Sequence, residues 1–237
     1  MSSLVLTLRG PLQAWGTSAR YSRRTTDDHP SKSGILGMCA AAMGRRRTDP
    51  IENLLDLRVA MRLDVPGSLL RDFQTAVHLT SGDAMPLTYR DYLQDAIFVV
   101  AVSGDGDLLE AIAAAIRSPK YPLYLGRRSC VPAGPLTPLV VEGSERGAVA
   151  SAPWAASERL KRSRAQTVEL EIVADANDDD PSTALVKDLP LSFDPQRREY
   201  GYRPVHRYWI SVENPDGLSG SGVDYRREHD PMAMELP

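Results

Sequence analysis

Residues 31–47 read SKSGILGMCAAAMGRRR, and this stretch organises the reading of the whole chain. Ser31 or Ser33 can cap a helix by accepting a hydrogen bond from an early backbone N–H, and Ile35 to Met43 is apolar enough to be buried. Gly44 supplies the left-handed residue that ends the helix. The helix start sets unpaired N–H groups and a positive dipole end beside Lys32, a combination suited to a phosphate, and the far end releases Arg45, Arg46 and Arg47. The plainer alternative is a serine-capped core helix.

Working outward, 237 residues make one large domain or two small ones, long enough to bury a core without disulfides or metal. Cys39 lies in the apolar helix and Cys130 follows two arginines, so they form no ligand pair, and a reduced, cytoplasmic protein is expected. Leu4 to Leu8 is too short for a signal peptide, and no run approaches a membrane span. The net charge of −3 conceals a strong asymmetry. Residues 1–47 carry eight cations, Arg20 and Arg24 among them, against two aspartates, and residues 118–134 add Lys120, Arg127 and Arg128 with no acid. The acids gather at 175–180 and beyond Glu213. A basic half beside an acidic half suits a nucleic-acid groove on a protein of pI 5.8.

Taken in order, Leu4 to Leu8 alternates as a strand and runs into Gly10-Pro11-Leu12-Gln13-Ala14-Trp15-Gly16, a fixed turn that offers an indole for stacking or for the core. Arg58 to Leu63 alternates as a second strand. Residues 69–95, with a Ser81-Gly82-Asp83 turn signal, read as a projecting hairpin that carries Arg71, Phe73, Gln74, His78, Tyr89 and Arg90. Ala96 to Val102 is a continuous apolar run, a central strand, and Asp107 is expected to cap a helix over 108–116. This order predicts an α+β fold: a split βαβ sheet with helices on one face, the architecture of RNA-recognition (ferredoxin-like) domains. The body is placed at 1–134, a β-rich part packed on it at 135–213, and a disordered tail at 214–237. Tyr121, Tyr124, Arg127 and Arg128 sit in a proline-stiffened loop that can stack bases and pair phosphates together.

The series Gly10–Gly16, Pro30–Gly37, Leu70–Phe73, Tyr89–Ala96 and Tyr124–Cys130 resembles, in order, the motifs of the CasD family, one subunit of the CRISPR type I-E surveillance complex Cascade. Ser31 stands where that family usually has threonine, and Met38-Cys39 is also a departure. The resemblance implies an RNA-recognition body with a β-hairpin thumb that reaches into the guide duplex. It implies binding to the 5′ handle of CRISPR RNA, capping of the backbone filament, contact with the large subunit, and target DNA met only through the complex. No cofactor, metal, membrane or homo-oligomer is expected. On this reading Ser31, Lys32 and Ser33 hold handle phosphates, and the cluster Arg45, Arg46 and Arg47 adds longer-range attraction or touches a neighbouring subunit. Trp15, Tyr121 and Tyr124 stack on unpaired bases, with Gln13, Arg127 and Arg128 reading edges or backbone.

The rival is a metal-independent endoribonuclease, which needs an acid–base pair; His29, beside Pro30 and Lys32, is the histidine that could serve, ahead of His78, His206 and His229. Asp178-Asp179-Asp180 before Pro181 reads as a solvated loop rather than a metal site. A third reading is a structural subunit that touches protein alone.

Overall fold

The computed structural model describes residues 1–17 and 23–218. Strand β1 (Ser2–Arg9) turns Leu4, Leu6 and Leu8 to one face, where all three are buried. Two-residue strands β2 (Leu12–Gln13) and β3 (Arg23–Arg24) follow, then helix α1 (Lys32–Ala42) and the short α2 (Glu52–Leu55). Ser31 is the N-cap of α1, its hydroxyl accepting from the Gly34 N–H at 3.2 Å, and Gly44 beyond its end has φ +80°. Next come β4 (Arg58–Val65), β5 (Ser68–Gln74), β6 (Thr88–Gln94), β7 (Ile97–Gly104) and α3 (Gly106–Arg117). The cap of α3 is Asp105, two residues before the expected Asp107, which instead lies in the first turn.

Residues 135–213 add β8 (Leu139–Glu142), α4 (Glu145–Ser151), α5 (Glu158–Arg162), β9 (Thr167–Asp175), β10 (Ala184–Ser192) and β11 (Glu199–Glu213). Their strands extend the same sheet as the N-terminal ones, in the order β10-β11-β9-β4-β7-β1-β8. Every neighbouring pair in it is antiparallel. The protein is therefore a mixed α+β fold on one large antiparallel sheet.

Helices cover both faces, where the sequence pattern had suggested one. The larger core sets α1 and α3 on Leu4, Leu6, Leu8, Met61, Phe98 and Val100. On the reverse face Ala148 and Val149 of α4 pack against Ala60, Val99, Ala101, Ile172 and Ala174. The unbroken apolar run of β7 carries the physical reason, since a strand apolar on both sides needs two layers. Arg62, wholly buried, fastens that second layer: it donates to both carboxylate oxygens of Asp64 and to the carbonyls of Val149, Ala152 and Pro153 at 2.6–2.9 Å. A buried charge is tolerable only when its donors are satisfied in this way.

The second sheet is the hairpin. β5 pairs with one edge of β6 from Ser68↔Gln94 to Gln74↔Thr88, while β2 (antiparallel) and β3 (parallel) hold the other edge. The tip carries exposed Val77, Leu79 and Met85. Residues 214–218, expected to belong to a disordered tail, are instead bound to the body: Asn214 is buried, its amide donating to the Lys161 and Ala165 carbonyls at 2.8 Å, and the Leu218 N–H donates to the Arg164 carbonyl, while 219–237 lie outside the described residues. No helix among the described residues is long and apolar enough to cross a membrane.

Candidate nucleic-acid interface

Gly34, Gly126 and Trp15 lock together rather than meeting a ligand. Trp15 is 1 % exposed, and its indole N–H donates to Gln13 Oε1, while the Gln13 amide donates to the Leu8 and Ala96 carbonyls. A Cβ on Gly34 would stand 2.9 Å from the Trp15 ring, and one on Gly126 would stand 1.9 Å from the Ala14 carbonyl oxygen. Gln13 and Trp15, expected at the RNA, are thus core residues that clamp α1 to the 124–130 loop.

Lys32 is also corrected. It is 6 % exposed and its ammonium meets Asp175 at 2.8 Å; Arg203 bridges Asp175 at 2.7 Å and Asp188 at 2.6 Å. The Lys32 backbone N–H, one of the donors reserved for a phosphate, donates to Asp188 Oδ2 at 2.7 Å. The dipole end of α1 therefore already holds an anion, supplied by β10. Burial opposes ionisation of Asp175, but the Lys32 and Arg203 charges hold its carboxyl below the usual range. Ser31 is buried as the cap, and of the trio Ser33 alone reaches the open surface described next.

That surface is a cleft of about 460 Å³ along α1. Its floor is a strip of small residues, Gly34, Gly37, Ala40 and Ala41. Arg45, Arg46, Arg47, Arg128 and Arg198 line it, with Tyr121, Tyr124 and Phe193, and no carboxylate is among its lining residues. Small residues beneath and aromatic rings beside give a planar group a slot, and the guanidinium groups give its charge a counterpart. The structure thus gathers Ser33, Arg45, Arg46, Tyr121, Tyr124 and Arg128 from the expected set. Arg47, read from the sequence with Arg45 and Arg46 as one cluster, lines the cleft too. Sequence reasoning missed Phe193 and Arg198, which arrive from the β10–β11 loop, more than 140 residues from α1, with no local pattern to mark them. Arg45 is braced by the Pro50 carbonyl and Asn53, and Arg46 by Asp49, which fixes their orientation.

The family model described as CRISPR-associated protein (Cas_Cas5) matches residues 3–206. The chain belongs to this Cas5 family. CRISPR system Cascade subunit CasD of Escherichia coli (strain K12) is 34 % identical over 156 residues, covering 57 % of this chain and 69 % of the relative. A solved CRISPR RNA-guided surveillance complex contains a chain that superposes with a TM-score of 0.73 at 32 % identity, covering 94 % of this chain and 96 % of that one. A crystal structure described as a Cas protein matches with a TM-score of 0.68 at 31 % identity, covering 92 % and 98 %. The family read from the five motifs is borne out.

The remaining expected residues of this Cas5-family chain fall elsewhere. Arg24 is exposed on β3, opposite Arg90 of β6. Arg20 lies outside the described residues, as does His229. In the hairpin, Arg71 pairs with Asp91 at 2.9 Å, Gln74 donates to Asp72, and Phe73 and Tyr89, cross-strand partners, are both exposed. His78 accepts from the Ser81 N–H at the tip, and His206 hydrogen-bonds the Ser182 carbonyl. His29 is buried against the Asp28 carboxylate, which also binds Arg207 at 2.6 Å; it does not line the cleft. Asp180 of the aspartate run is tied to Arg146 through both oxygens rather than solvated.

Proposed function

We propose that this chain is a non-catalytic, RNA-binding scaffold subunit of a Cascade-type CRISPR surveillance complex, which holds the 5′ handle of the guide RNA and caps the backbone filament. The observation that carries it is the cleft: arginines and aromatic rings around a small-residue floor, with no lining carboxylate. Single-stranded RNA is held by stacked bases and paired phosphates, and this lining supplies partners for both. The body supports the reading too. β1, β4, β7 and β8, with α1 and α3 between them, have the βαββαβ order of a ferredoxin-like RNA-recognition domain, β8-β1-β7-β4 across the sheet. The hairpin is the thumb, and the filament and large subunits are its partners in the complex.

Handle RNA, fluorescently labelled, is titrated with the purified protein in EDTA at several salt concentrations, and the RNA is then run on a denaturing gel. Binding is expected to weaken as salt rises, Arg128→Glu and Arg46→Glu each to cost about tenfold in affinity, and the RNA to stay intact. Binding indifferent to both reversals would remove the cleft from the reading, and site-specific cleavage would replace the scaffold with a nuclease.

A further inference from the structure

Arg127 sits between two cleft-lining residues, Gly126 and Arg128, yet its side chain leaves the cleft. Its Nη1 donates to the Asp91 carbonyl at 3.2 Å and its Nη2 to the Arg24 carbonyl at 3.1 Å. Its guanidinium carbon lies 4.6 Å from the centre of the buried Tyr92 ring. One planar fork thus joins three segments: the cleft loop, β3 and the base of the hairpin strand β6. We infer that Arg127 is a positioning residue that sets the pose of the thumb relative to the cleft, and does not itself bind RNA.

Three features around it fit a strut. Its own loop is rigid: the Leu125 N–H donates to the Cys130 carbonyl at 2.7 Å, the Ala14 N–H to the Leu125 carbonyl at 3.1 Å, and Gly126, at φ +83°, is pressed on Ala14. The hairpin joins the body through two narrow turns, at Gly67 (φ +76°) and Asp95 (φ +58°), both left-handed. Such roots fix a hairpin's direction less firmly than a continuous sheet does, and the lateral pairing of β6 with β2 and β3 spans only two residues of each, so the Arg127 fork adds a further fastening there. Tyr92 also reports the contact: its burial opposes ionisation, but hydrogen bonding with Ser129 and Arg127 and the guanidinium charge hold the phenol below its ordinary range. A lysine could reach only one of the two carbonyls, because it lacks the fork.

The test is hydrogen exchange on the full chain without RNA, beside handle binding. Arg127→Ala is expected to speed exchange in residues 88–94 by about tenfold while handle affinity falls less than for Arg128→Ala; Arg128→Ala is expected to leave that exchange unchanged. Should Arg127→Ala not fold, Arg127→Lys keeps the charge and loses the fork, and is read by the same criteria. Unchanged exchange in 88–94 overturns the inference, and joined to a loss of affinity matching Arg128→Ala it would make Arg127 an RNA ligand. The consequence for RNA rests on the proposed function, but the exchange measurement does not: a wild-type chain that binds no handle would end that reading and leave the strut standing or falling on its own.

Discussion

Gly126 stands at φ +83° with its Cα turned toward the Ala14 carbonyl, so an added methyl must either displace backbone or tilt the Trp15 ring. Left-handed strain and overpacking together set the cost of Gly126→Ala at about 2–5 kcal/mol. Gly82, also left-handed but with nothing near an added Cβ, should cost only about 1–2 kcal/mol on the same change. Urea denaturation of the two variants measures the difference. The buried tetrad makes a second residue-scale prediction. Asp188→Ala leaves Arg203 and the α1 N-terminus without their shared carboxylate and should cost about 3–5 kcal/mol. Lys32→Glu should fail to fold rather than merely fail to bind. The pH dependence follows from the depressed carboxyls of Asp175, held down by Lys32 and Arg203 against burial, and Asp28, held down by His29 and Arg207 against burial. A carboxyl depressed in the folded state stabilises above its unfolded value of about 3.9 and loses that contribution as pH falls toward the folded one. Asp27, raised by burial, works in the opposite sense and softens the slope. The urea midpoint should therefore be lower at pH 3 than at pH 6, and an equal midpoint would count against the tetrad's charges. These residues also mark how far the sequence could be read: a serine cap and a closing glycine are local signals, whereas Lys32 facing Asp175 across 143 positions is not.

At the scale of elements, the hairpin is the part most separable from the rest. Its tip, residues 75–87, holds its shape through the Val77↔Ala84 bridge and a few turn hydrogen bonds, and Leu79 is fully exposed there. Replacing residues 76–86 with a two-residue turn should shift the thermal midpoint by no more than a few degrees, since little apolar surface is uncovered. The same variant should keep handle affinity, because no residue of 76–86 lines the cleft, yet fail to join the filament when the complex is reconstituted. Normal assembly of the trimmed chain would take the thumb out of the proposed role. The elements were legible in proportion to their periodicity. β1, α1 and β7 announce themselves by spacing or unbroken apolarity. α4 did not, because its seven residues carry only two apolar side chains, Ala148 and Val149, to the sheet, too few for a helical stripe, and its anchor Arg62 sits on a strand 83 positions away from the helix start. β10 was hidden by Pro190 and two register shifts against β11, features that break alternation on an edge strand.

For the whole molecule, the decisive quantity is how charge is distributed against a net of −3. Folding spends much of the basic excess internally: Lys32 on Asp175, Arg62 on Asp64, Arg203 on two aspartates, Arg207 on Asp28 and Glu171. What remains on one open surface is the cleft, where Arg45, Arg46, Arg47, Arg128 and Arg198 come from three separate parts of the chain. Summing cations along residues 1–47 therefore overcounts the open basic surface, since Lys32 in that count belongs to the core. The consequence is quantitative. Single-stranded nucleic acid releases about 0.7 counterion per phosphate neutralised, so one contact from each of the five cleft arginines predicts a slope of about −3.5 in log affinity against log salt, small for a basic nucleic-acid binder. Arg128→Ala should make the slope shallower by about 0.7, while Arg127→Ala should leave it within error, because that guanidinium is spent on two carbonyls. A wild-type slope near zero would mean that stacking on Tyr121, Tyr124 and Phe193 holds the RNA without the arginines. A slope twice as steep would instead require phosphates to be neutralised beyond the cleft, with the exposed Arg24 on β3 and Arg159 and Arg162 on α5 the first places to look.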